Sequence, residues 1–308
     1  MSAPAPAVRP LRRAGGALVA LVALQLTWQL SQIGPALALT AAIDLLEVAL
    51  AGGAAAACLH RARLVAGRPS PGGDAGTRRR YEVLAWRFVA AGAASWCAGQ
   101  AVWTWYEVVV GREVPFPSWA DLGYLGFPLA AGTGAVLLAR ARGRLDSGLR
   151  AMLDGVLVSG ALLMISWQAV LSDIVRDGDW GLPLAVSLAY PIGDLAILAL
   201  VVLLVARSPA DLSLKLLAAG LMTLAVADSA FVWLSASGAF ATGSLVDAVW
   251  VTAFGLIALV AWAPLNDLVD DPTAGPGRAA LLLPYVPVLI GLGVGVLDLW
   301  RGTPVGRV

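Results

Sequence analysis

The feature that most constrains this chain is a series of about nine apolar stretches, each long enough to cross a bilayer. A membrane-spanning helix needs about 20 mostly apolar residues, and its backbone polar groups must pair internally because hydrocarbon supplies no water. Hydrophobic residues make up 59% of the chain and charged residues only 13%. We therefore predict an all-α fold, a polytopic transmembrane helical bundle. The predicted spans are 14–33, 36–59, 83–109, 119–139, 151–174, 182–206, 213–236, 245–265 and 279–300.

The N-terminal region has two interpretations. A tail over residues 1–13 precedes the first span, and only Gly34-Pro35 separates that span from the second. Proline can end one helix and open the next, because its backbone angle is fixed and it lacks an N–H donor. A secretory signal peptide is the alternative, with Ala36-Leu37-Ala38 as its cleavage site. The apolar run is long for a signal peptide and is interrupted by glutamines, so a retained helix is favoured.

Basic residues predict the orientation of the bundle. If the N-terminus lies inside the cell, most arginines and Lys215 fall in cytoplasmic loops or at cytoplasmic helix ends, as membrane proteins prefer. The exceptions are Arg112, Arg176, Arg301 and Arg307. We therefore predict a cytoplasmic N-terminus in a bacterial plasma membrane. The expected organisation is a transmembrane domain over 14–300, a disordered cytoplasmic loop over 60–82 and a short tail over 301–308.

Two carboxylates lie close together in the second predicted span. Asp44 and Glu47 are three residues apart and therefore share one helix face. A carboxylate at the bilayer centre costs about 2.5–3.5 kcal/mol on insertion scales, and two side by side do not both ionise cheaply. One interpretation is a proton or cation site. The other, which we favour at this point, is hydrogen bonding to a stripe of glutamines in the first span, Gln25, Gln29 and Gln32.

A tryptophan-rich stripe lies along one face of the third predicted span. Trp96, Gln100, Trp103 and Glu107 are spaced by four, three and four residues, which places them on one continuous face. Trp105, at the outer end of the span, is typical of an interfacial anchor. The stripe itself predicts either one wall of a ligand pocket that faces outward or ordinary packing between helices.

The segment after this stripe carries a helix-start signal. In PFPSWAD, over 115–121, Ser118 or Asp121 can accept hydrogen bonds from the free N–H groups of the fourth helix. The YLGFP segment that follows holds Tyr124 and Pro128. Proline inside an apolar run predicts a kink that frees a backbone carbonyl.

Further acids lie deep in the later spans. Asp194 follows Tyr190-Pro191-Ile192-Gly193, where proline and glycine predict a broken helix, which is tolerated at membrane depth only inside protein or along a cavity. Asp228 is flanked by small residues that permit close helix contact. Interhelical hydrogen bonding explains any one of these acids, but together they predict a polar cavity. The candidate ligand-binding residues are Trp96, Gln100, Trp103, Glu107, Asp121, Tyr124, Asp154, Trp167, Tyr190, Asp194, Asp228 and Asp247.

Several chemistries are excluded by residue content. His60 is the one histidine in the chain, so bis-histidine haem ligation is impossible. Lys215 lies at a predicted boundary, which argues against a retinal Schiff base. The sequence holds no GxGxxG, P-loop or HExxH motif, and its net charge of +1 gives no reason to expect nucleic-acid binding. We expect no enzyme activity, no cofactor and no metal.

The order of several motifs resembles a known family. The chain is similar, from about Trp86 to about Pro287, to the multi-helix N-terminal membrane region of actinobacterial cyclic-di-GMP signalling proteins, where it precedes GGDEF and often EAL domains. The blocks that carry the resemblance are WTWYE (103–107), PFPSWADLGYLGFP (115–128), LDGVLVSGALLMISW (153–167), SLAYPIGDL (187–195), LAAGLMTLAVADSAFVWL (217–234) and LLPYVPV (282–288). The sequence ends at Val308 without the catalytic domains, so it is a fragment, a truncated product or a standalone relative, and cyclase activity is not carried over.

The resemblance implies a sensory or membrane-anchoring input module. Its expected partners are membrane lipids, an unknown small-molecule ligand, and either a second copy of the chain or a cytoplasmic signalling protein. A small-solute or proton-coupled transporter is the alternative, with Asp44, Glu47, Asp194 and Asp228 as titrating groups. A structural membrane protein, in which the acids only hold helices together, is the third reading.

Overall fold

The computed structural model describes residues 9–69, 72–142, 181–207, 211–236 and 239–265. Every regular element within these ranges is helical, which confirms the all-α prediction for this part of the chain. The α-helices of the described ranges are α1 (Arg9–Ser31), α2 (Ala36–Ala66), α3 (Asp74–Thr104), α4 (Trp119–Ala141), α5 (Leu182–Arg207), α6 (Leu212–Ala236) and α7 (Leu245–Ala258). A π-helical turn, Trp105–Val110, extends α3, and a 3-10 turn, Leu259–Trp262, extends α7.

Five helices in the described ranges are long and apolar enough to cross a membrane. They are α1, α2, α4, the Leu212–Phe231 part of α6, and α7 with its 3-10 turn. The predicted spans 151–174 and 279–300, with the candidate residues Asp154 and Trp167, lie outside the described residues. The predicted membrane character is thus supported by helices that were also predicted, in position and length, from the sequence.

Many large apolar side chains lie on the outside of the described bundle, and many of its buried residues are small. Leu129 is 76% exposed and Leu30 73%, whereas Ala51 and Ala93 are fully buried. Lipid tails are as apolar as leucine, so membrane helices gain little by burying large side chains and associate instead through small residues that allow close contact. The distribution of side chains therefore suits a bilayer on the outside of the bundle.

Two helices extend further than their predicted spans. α2 continues to Ala66 and α3 begins at Asp74, so most of the loop expected over 60–82 is helical. The arginines of this region are good helix formers once a helix leaves the bilayer. Two of them are also held in place: Arg61 is buried, and Nη2 of Arg68 donates to the carbonyl of Leu265 at 2.7 Å. The expected long disordered loop is therefore wrong; the connection is short.

The broken helix expected at Pro191 is also wrong. α5 runs from Leu182 to Arg207 with Pro191 inside it, and α4 likewise continues through Pro128. Proline removes one helical hydrogen bond, but membrane helices tolerate it where neighbouring helices and local adjustments satisfy the freed group. Pro128 instead marks a contact between the two helices, because a Cβ atom at Gly193 on α5 would lie 3.0 Å from Cβ of Pro128 on α4.

The helices alternate in direction, so the bundle has two chemically distinct ends. α3 and α4 are antiparallel and very close, since a Cβ atom at Gly123 would lie 2.5 Å from the Cα of Gly99. We call the end where α3 stops and α4 and α7 start the cavity end. The opposite end, where α2 and α4 stop and α3 and α6 start, is the arginine-rich end. Nη2 of Arg142 on this second side lies 3.4 Å from Oε1 of Glu82.

Candidate functional site

A small cavity of about 40 Å³ lies between the helices at the cavity end. This volume is below the usual range of small-molecule sites, about 300–1,000 Å³, so the cavity by itself has room for a small group only. We call it the inner cavity. Its lining comes from α2 to α7 and from the segment before α7: Asp44, Glu47, Trp96, Gln100, Trp103, Tyr124, Phe127, Pro128, Tyr190, Asp194, Asp228, Phe231, Phe240, Thr242, Asp247 and Trp250.

The predicted stripe on α3 forms one wall of the inner cavity. Trp96 lies with its ring centroid 5.3 Å from that of Tyr124 and 4.5 Å from that of Phe254. Oε1 of Gln100 accepts a hydrogen bond of 2.5 Å from the Tyr124 hydroxyl. Trp103 continues the wall outward, 6.0 Å from the ring of Phe231. The 3.6-residue helical period therefore placed this stripe correctly from sequence alone.

Two of the cavity acids are held by neighbouring donors. Oδ1 of Asp228 on α6 accepts a hydrogen bond of 2.7 Å from the indole N–H of Trp250 on α7. Oδ2 of Asp247 accepts from the backbone N–H of Gly243 at 2.6 Å and from Nε2 of Gln29 at 3.4 Å. These bonds fix the positions of the carboxylates at the cavity wall, and they do so with neutral donors.

The other three acids of the inner cavity carry oxygen atoms without a donor. Oδ2 of Asp44, Oε1 of Glu47 and Oδ2 of Asp194 are buried and have no hydrogen-bond partner in the described part of the chain. Asp44 is 1% exposed, Glu47 3% and Asp194 8%. An unpaired buried polar group costs about 1–3 kcal/mol and a charged one more, so leaving these three oxygen atoms unpaired destabilises the folded protein.

The glutamine stripe of α1 does not bond to Asp44 and Glu47 in the expected way. Gln29 donates instead to Asp247 and to the carbonyl of Ser244 at 3.1 Å, and the amide of Gln25 has no partner among the described residues. The sequence pattern identified the right helix face but the wrong acceptor. The reason is that α1 packs on α7, which brings its glutamines to the start of that helix.

A wider chamber of about 610 Å³ adjoins the inner cavity on the side of the loop that joins α3 to α4, and this volume is within the usual range of small-molecule sites, about 300–1,000 Å³. We call it the outer chamber. Residues that line both spaces form an aromatic collar between them: Trp103, Tyr124, Tyr190, Phe231 and Phe240, together with Thr242. A ligand that reaches the inner cavity from the outer chamber must therefore pass aromatic side chains.

Glu107 and Asp121 line only the outer chamber. Oε2 of Glu107 accepts a hydrogen bond of 2.8 Å from the Thr242 hydroxyl. Asp121 completes the predicted cap of α4, accepting from the backbone N–H of Ser118 at 2.6 Å, and its other oxygen accepts from the Tyr190 hydroxyl at 2.6 Å. Asp121 thus ties the start of α4 to α5, in addition to the capping role that its sequence position predicted.

Eight of the twelve candidate ligand-binding residues come together in the inner cavity, and sequence reasoning missed several others. The eight are Trp96, Gln100, Trp103, Tyr124, Tyr190, Asp194, Asp228 and Asp247. Phe231 and Trp250 were missed, although each lies three residues after a predicted acid, Asp228 or Asp247, on the same helix face. Phe240 and Thr242 lie in an irregular segment, where no periodic pattern could identify them.

The ionisable side chains that line the inner cavity are all acidic. Five of its lining residues are carboxylic acids, and no lysine, arginine or histidine lines it within the described ranges. The same ranges hold no group of three histidine, cysteine, aspartate or glutamate side chains placed to ligate a metal ion. The described walls therefore combine carboxyl groups and aromatic surface without a basic side chain.

The arginine-rich end holds a second buried polar cluster, which sequence reasoning also missed. Nη2 of Arg142 lies 2.6 Å from Oδ2 of Asp211, in addition to its contact with Glu82. Arg61 donates to the carbonyls of Val260 at 3.0 Å, Ala263 at 2.6 Å and Pro264 at 3.1 Å. Its guanidinium also lies 5.5 Å from the centre of the Trp86 ring. This cluster joins helix ends.

No protein-family model, curated protein or solved structure matches this chain. The function must therefore be argued from the site.

Proposed function

We propose that this chain is the sensory, or input, module of a bacterial membrane signalling protein, and that it binds a small ligand in the inner cavity. In this proposal it is a multi-pass protein of the plasma membrane with about nine spans. The N-terminus and the arginine-rich end face the cytoplasm, and the cavity end faces outward. The gathering of arginines from α2, α3 and α4 at one end supports this orientation. The resemblance to membrane regions of cyclic-di-GMP signalling proteins supports the signalling role.

The observation that carries the proposal is the convergence of the predicted residues on one cavity. The sequence predicted acids, aromatic residues and Gln100 as candidate ligand-binding residues on separate helices. Eight of these candidates, from α3, α4, α5, α6 and α7, line a single cavity. Acids that merely join pairs of helices have no reason to share a cavity with oxygen atoms left unpaired. A ligand in this cavity contacts six helices at once, so it shifts the equilibrium toward whichever helix arrangement it fits best.

A ligand screen tests this proposal. The purified protein in detergent is heated with a library of small polar compounds, and a binding compound is expected to raise Tm. Asp194→Asn and Asp228→Asn should abolish that rise, because both acids line the cavity. Asp74→Asn is the matched control: Asp74 is exposed, lies at the start of α3 at the opposite end and should leave the rise unchanged. Equal ligand responses in all three variants would overturn the site.

A transporter is the second candidate, and Asp44 and Glu47 are the observation that favours it. All four acids expected to titrate in a transporter, Asp44, Glu47, Asp194 and Asp228, line the same cavity. Uptake of the stabilising compound into proteoliposomes distinguishes the two candidates. Uptake that depends on a proton gradient and is lost in Glu47→Gln identifies a transporter, whereas binding without uptake identifies a sensor.

A further inference from the structure

We propose that the inner cavity binds an organic ammonium cation, an amine or a quaternary ammonium compound with an apolar body. This inference rests on the proposed ligand-binding function and names the class of ligand. It follows from the acidic side chains of the cavity and from the aromatic chemistry of its walls, and the adjoining outer chamber of about 610 Å³ has room for the apolar body.

The unpaired carboxyl groups of the cavity favour a positively charged partner. Asp44, Glu47 and Asp194 each present a buried oxygen atom without a donor. The described lining supplies no cationic side chain to these acids, and the nearest buried arginine cluster is at the opposite end of the bundle. Buried charges are stable when they are paired, and a ligand that carries N–H donors or a positive charge supplies the missing partner. An anionic ligand would add to the repulsion.

The walls of the cavity suit an organic cation. Its aromatic lining residues are Trp96, Trp103, Tyr124, Phe127, Tyr190, Phe231, Phe240 and Trp250. Neighbouring rings are in direct contact, as shown by centroid distances of 4.7 Å between Phe231 and Phe240 and 5.6 Å between Phe231 and Trp250. Aromatic rings attract cations through their quadrupole, most strongly where water is excluded, and aromatic cages are the usual receptors for alkylammonium groups. Their apolar surface also accommodates the hydrocarbon part of such a ligand.

A metal ion fits the same site poorly. Calcium takes six to eight oxygen ligands at about 2.3–2.6 Å, and magnesium demands a nearly octahedral oxygen shell. No three acidic side chains of the described residues are grouped closely enough to hold such an ion. Dispersed carboxyl groups among aromatic side chains suit an organic cation better than a metal ion.

The acids of the cavity form two sets on two pairs of helices. The ligand can therefore carry one or two positive charges. Asp44 and Glu47 on α2 face Asp247 on α7, whereas Asp194 on α5 and Asp228 on α6 form a second group. One ammonium group can pair with one of these two sets of acids, and a diamine can pair with both sets. The experiment therefore includes ligands with one and with two positive charges.

The decisive experiment changes the ligand and leaves the protein intact. The Tm of the wild-type protein is measured with choline, tetraethylammonium and 1,4-diaminobutane, with NaCl added to equal ionic strength. The neutral compound 3,3-dimethyl-1-butanol, in which carbon replaces the choline nitrogen, is the matched control. At least one ammonium compound should raise Tm in a saturable manner, with binding at least about tenfold tighter than any binding of the neutral control. Equal effects of choline and its neutral counterpart, or no effect of any ammonium compound, would overturn the proposal.

Two substitutions at one position test the aromatic contribution. Trp103→Leu should weaken binding of the ammonium compound by about five- to tenfold, because the quadrupole is removed while an apolar side chain remains. Trp103→Phe keeps an aromatic ring and should weaken it by about twofold or less. Asp194→Asn should weaken it by about tenfold or more, and Asp74→Asn should have no effect. Equal losses for the Leu and Phe variants would contradict an aromatic receptor.

The outcome also distinguishes this inference from the proposed function. A neutral or anionic compound that raises Tm in the wild type but not in Asp194→Asn would retain the binding module and overturn the ammonium class. If neither ammonium compounds nor the wider library raise Tm, both proposals fail.

Discussion

The two ends of this bundle differ in whether their acids have a cationic partner. At the arginine-rich end, Arg142 lies against Asp211 and Glu82, and Arg61 is surrounded by three backbone carbonyls. At the cavity end, five acids surround a hollow, their described donors are all neutral, and three of them keep an oxygen atom without a partner. In the described structure the same helices thus carry acids with a cationic partner at one end and acids without one at the other.

This difference separates two roles that look alike in a sequence. A buried acid that meets an arginine joins helices, and removing its partner destabilises the fold. A buried acid without a counter-charge weakens the fold and is retained for another reason, because unpaired polar groups in low dielectric cost free energy. The comparison therefore supports a stabilising role for Glu82 and Asp211, and it supports the ligand-binding role that we propose for the cavity acids.

The largest effect is expected from Arg142→Ala. This change leaves Asp211 and Glu82 buried without their cation, and breaking a buried ion pair in this way costs about 3–5 kcal/mol. The free energy of unfolding in detergent, measured by denaturant titration, should fall by that amount. Arg87→Ala is the control, because Arg87 is exposed on α3 and should change stability by about 0.5 kcal/mol or less. A loss below about 1 kcal/mol for Arg142→Ala would remove the distinction between the two ends.

A smaller effect is expected from Gly123→Ala, which tests whether packing holds the cavity end together. A methyl group at Gly123 would collide with the backbone of Gly99, and overpacking of this kind costs about 1–3 kcal/mol. Gly132→Ala on the same helix meets no atom within 4 Å and should stabilise by about 0.5–1 kcal/mol, since glycine weakens helix interiors. The same unfolding titration compares both. If Gly123→Ala is as stable as Gly132→Ala, the close contact of α3 and α4 is wrong.

The smallest effect on stability is expected from Asp228→Asn. An amide oxygen can still accept the N–H of Trp250, and one buried acid is removed from the cavity, so the free energy of unfolding should change by about 1 kcal/mol or less. Binding of the ammonium ligand should nevertheless weaken by about tenfold. A loss of stability as large as that of Arg142→Ala would make Asp228 a structural acid and would remove the contrast on which the function is argued.

Local features of the site were predictable from the sequence. The α3 stripe and the Asp44–Glu47 pair depend only on helical spacing, and the cap of α4 depends on Ser118 and Asp121 within one turn. Features that join distant segments were not predictable. The bond from Gln29 to Asp247 spans 218 residues of sequence, and the bond from Tyr190 to Asp121 spans 69. Spacing along one helix carries no information about which other helix is its neighbour.

The continuity of the helices was also not predictable from the local sequence. The rule that proline breaks a helix predicted an interruption at Pro191, yet α5 is continuous, and glycine at 193 permits contact with Pro128. Part of the loop predicted over 60–82 is helical for a related reason. α2 continues through Arg61 to Ala66, and hydrogen bonds from Arg61 and Arg68 to the segment after α7 hold this end of the helix in place. In both cases neighbouring helices overrode a local preference.

The amino-acid sequence determined by itself that this chain forms apolar helices and which residues share a face of each helix, because hydrophobicity and the 3.6-residue period act along the chain. Only the tertiary structure decided which buried acids have a cationic partner. That distinction depends on which helix ends meet: Arg142 reaches Asp211 at one end, while at the other the described neighbours of Asp44, Glu47 and Asp194 are aromatic residues, neutral groups and other acids. Charge pairing is a property of distances in space, and these distances exist only after the helices have packed.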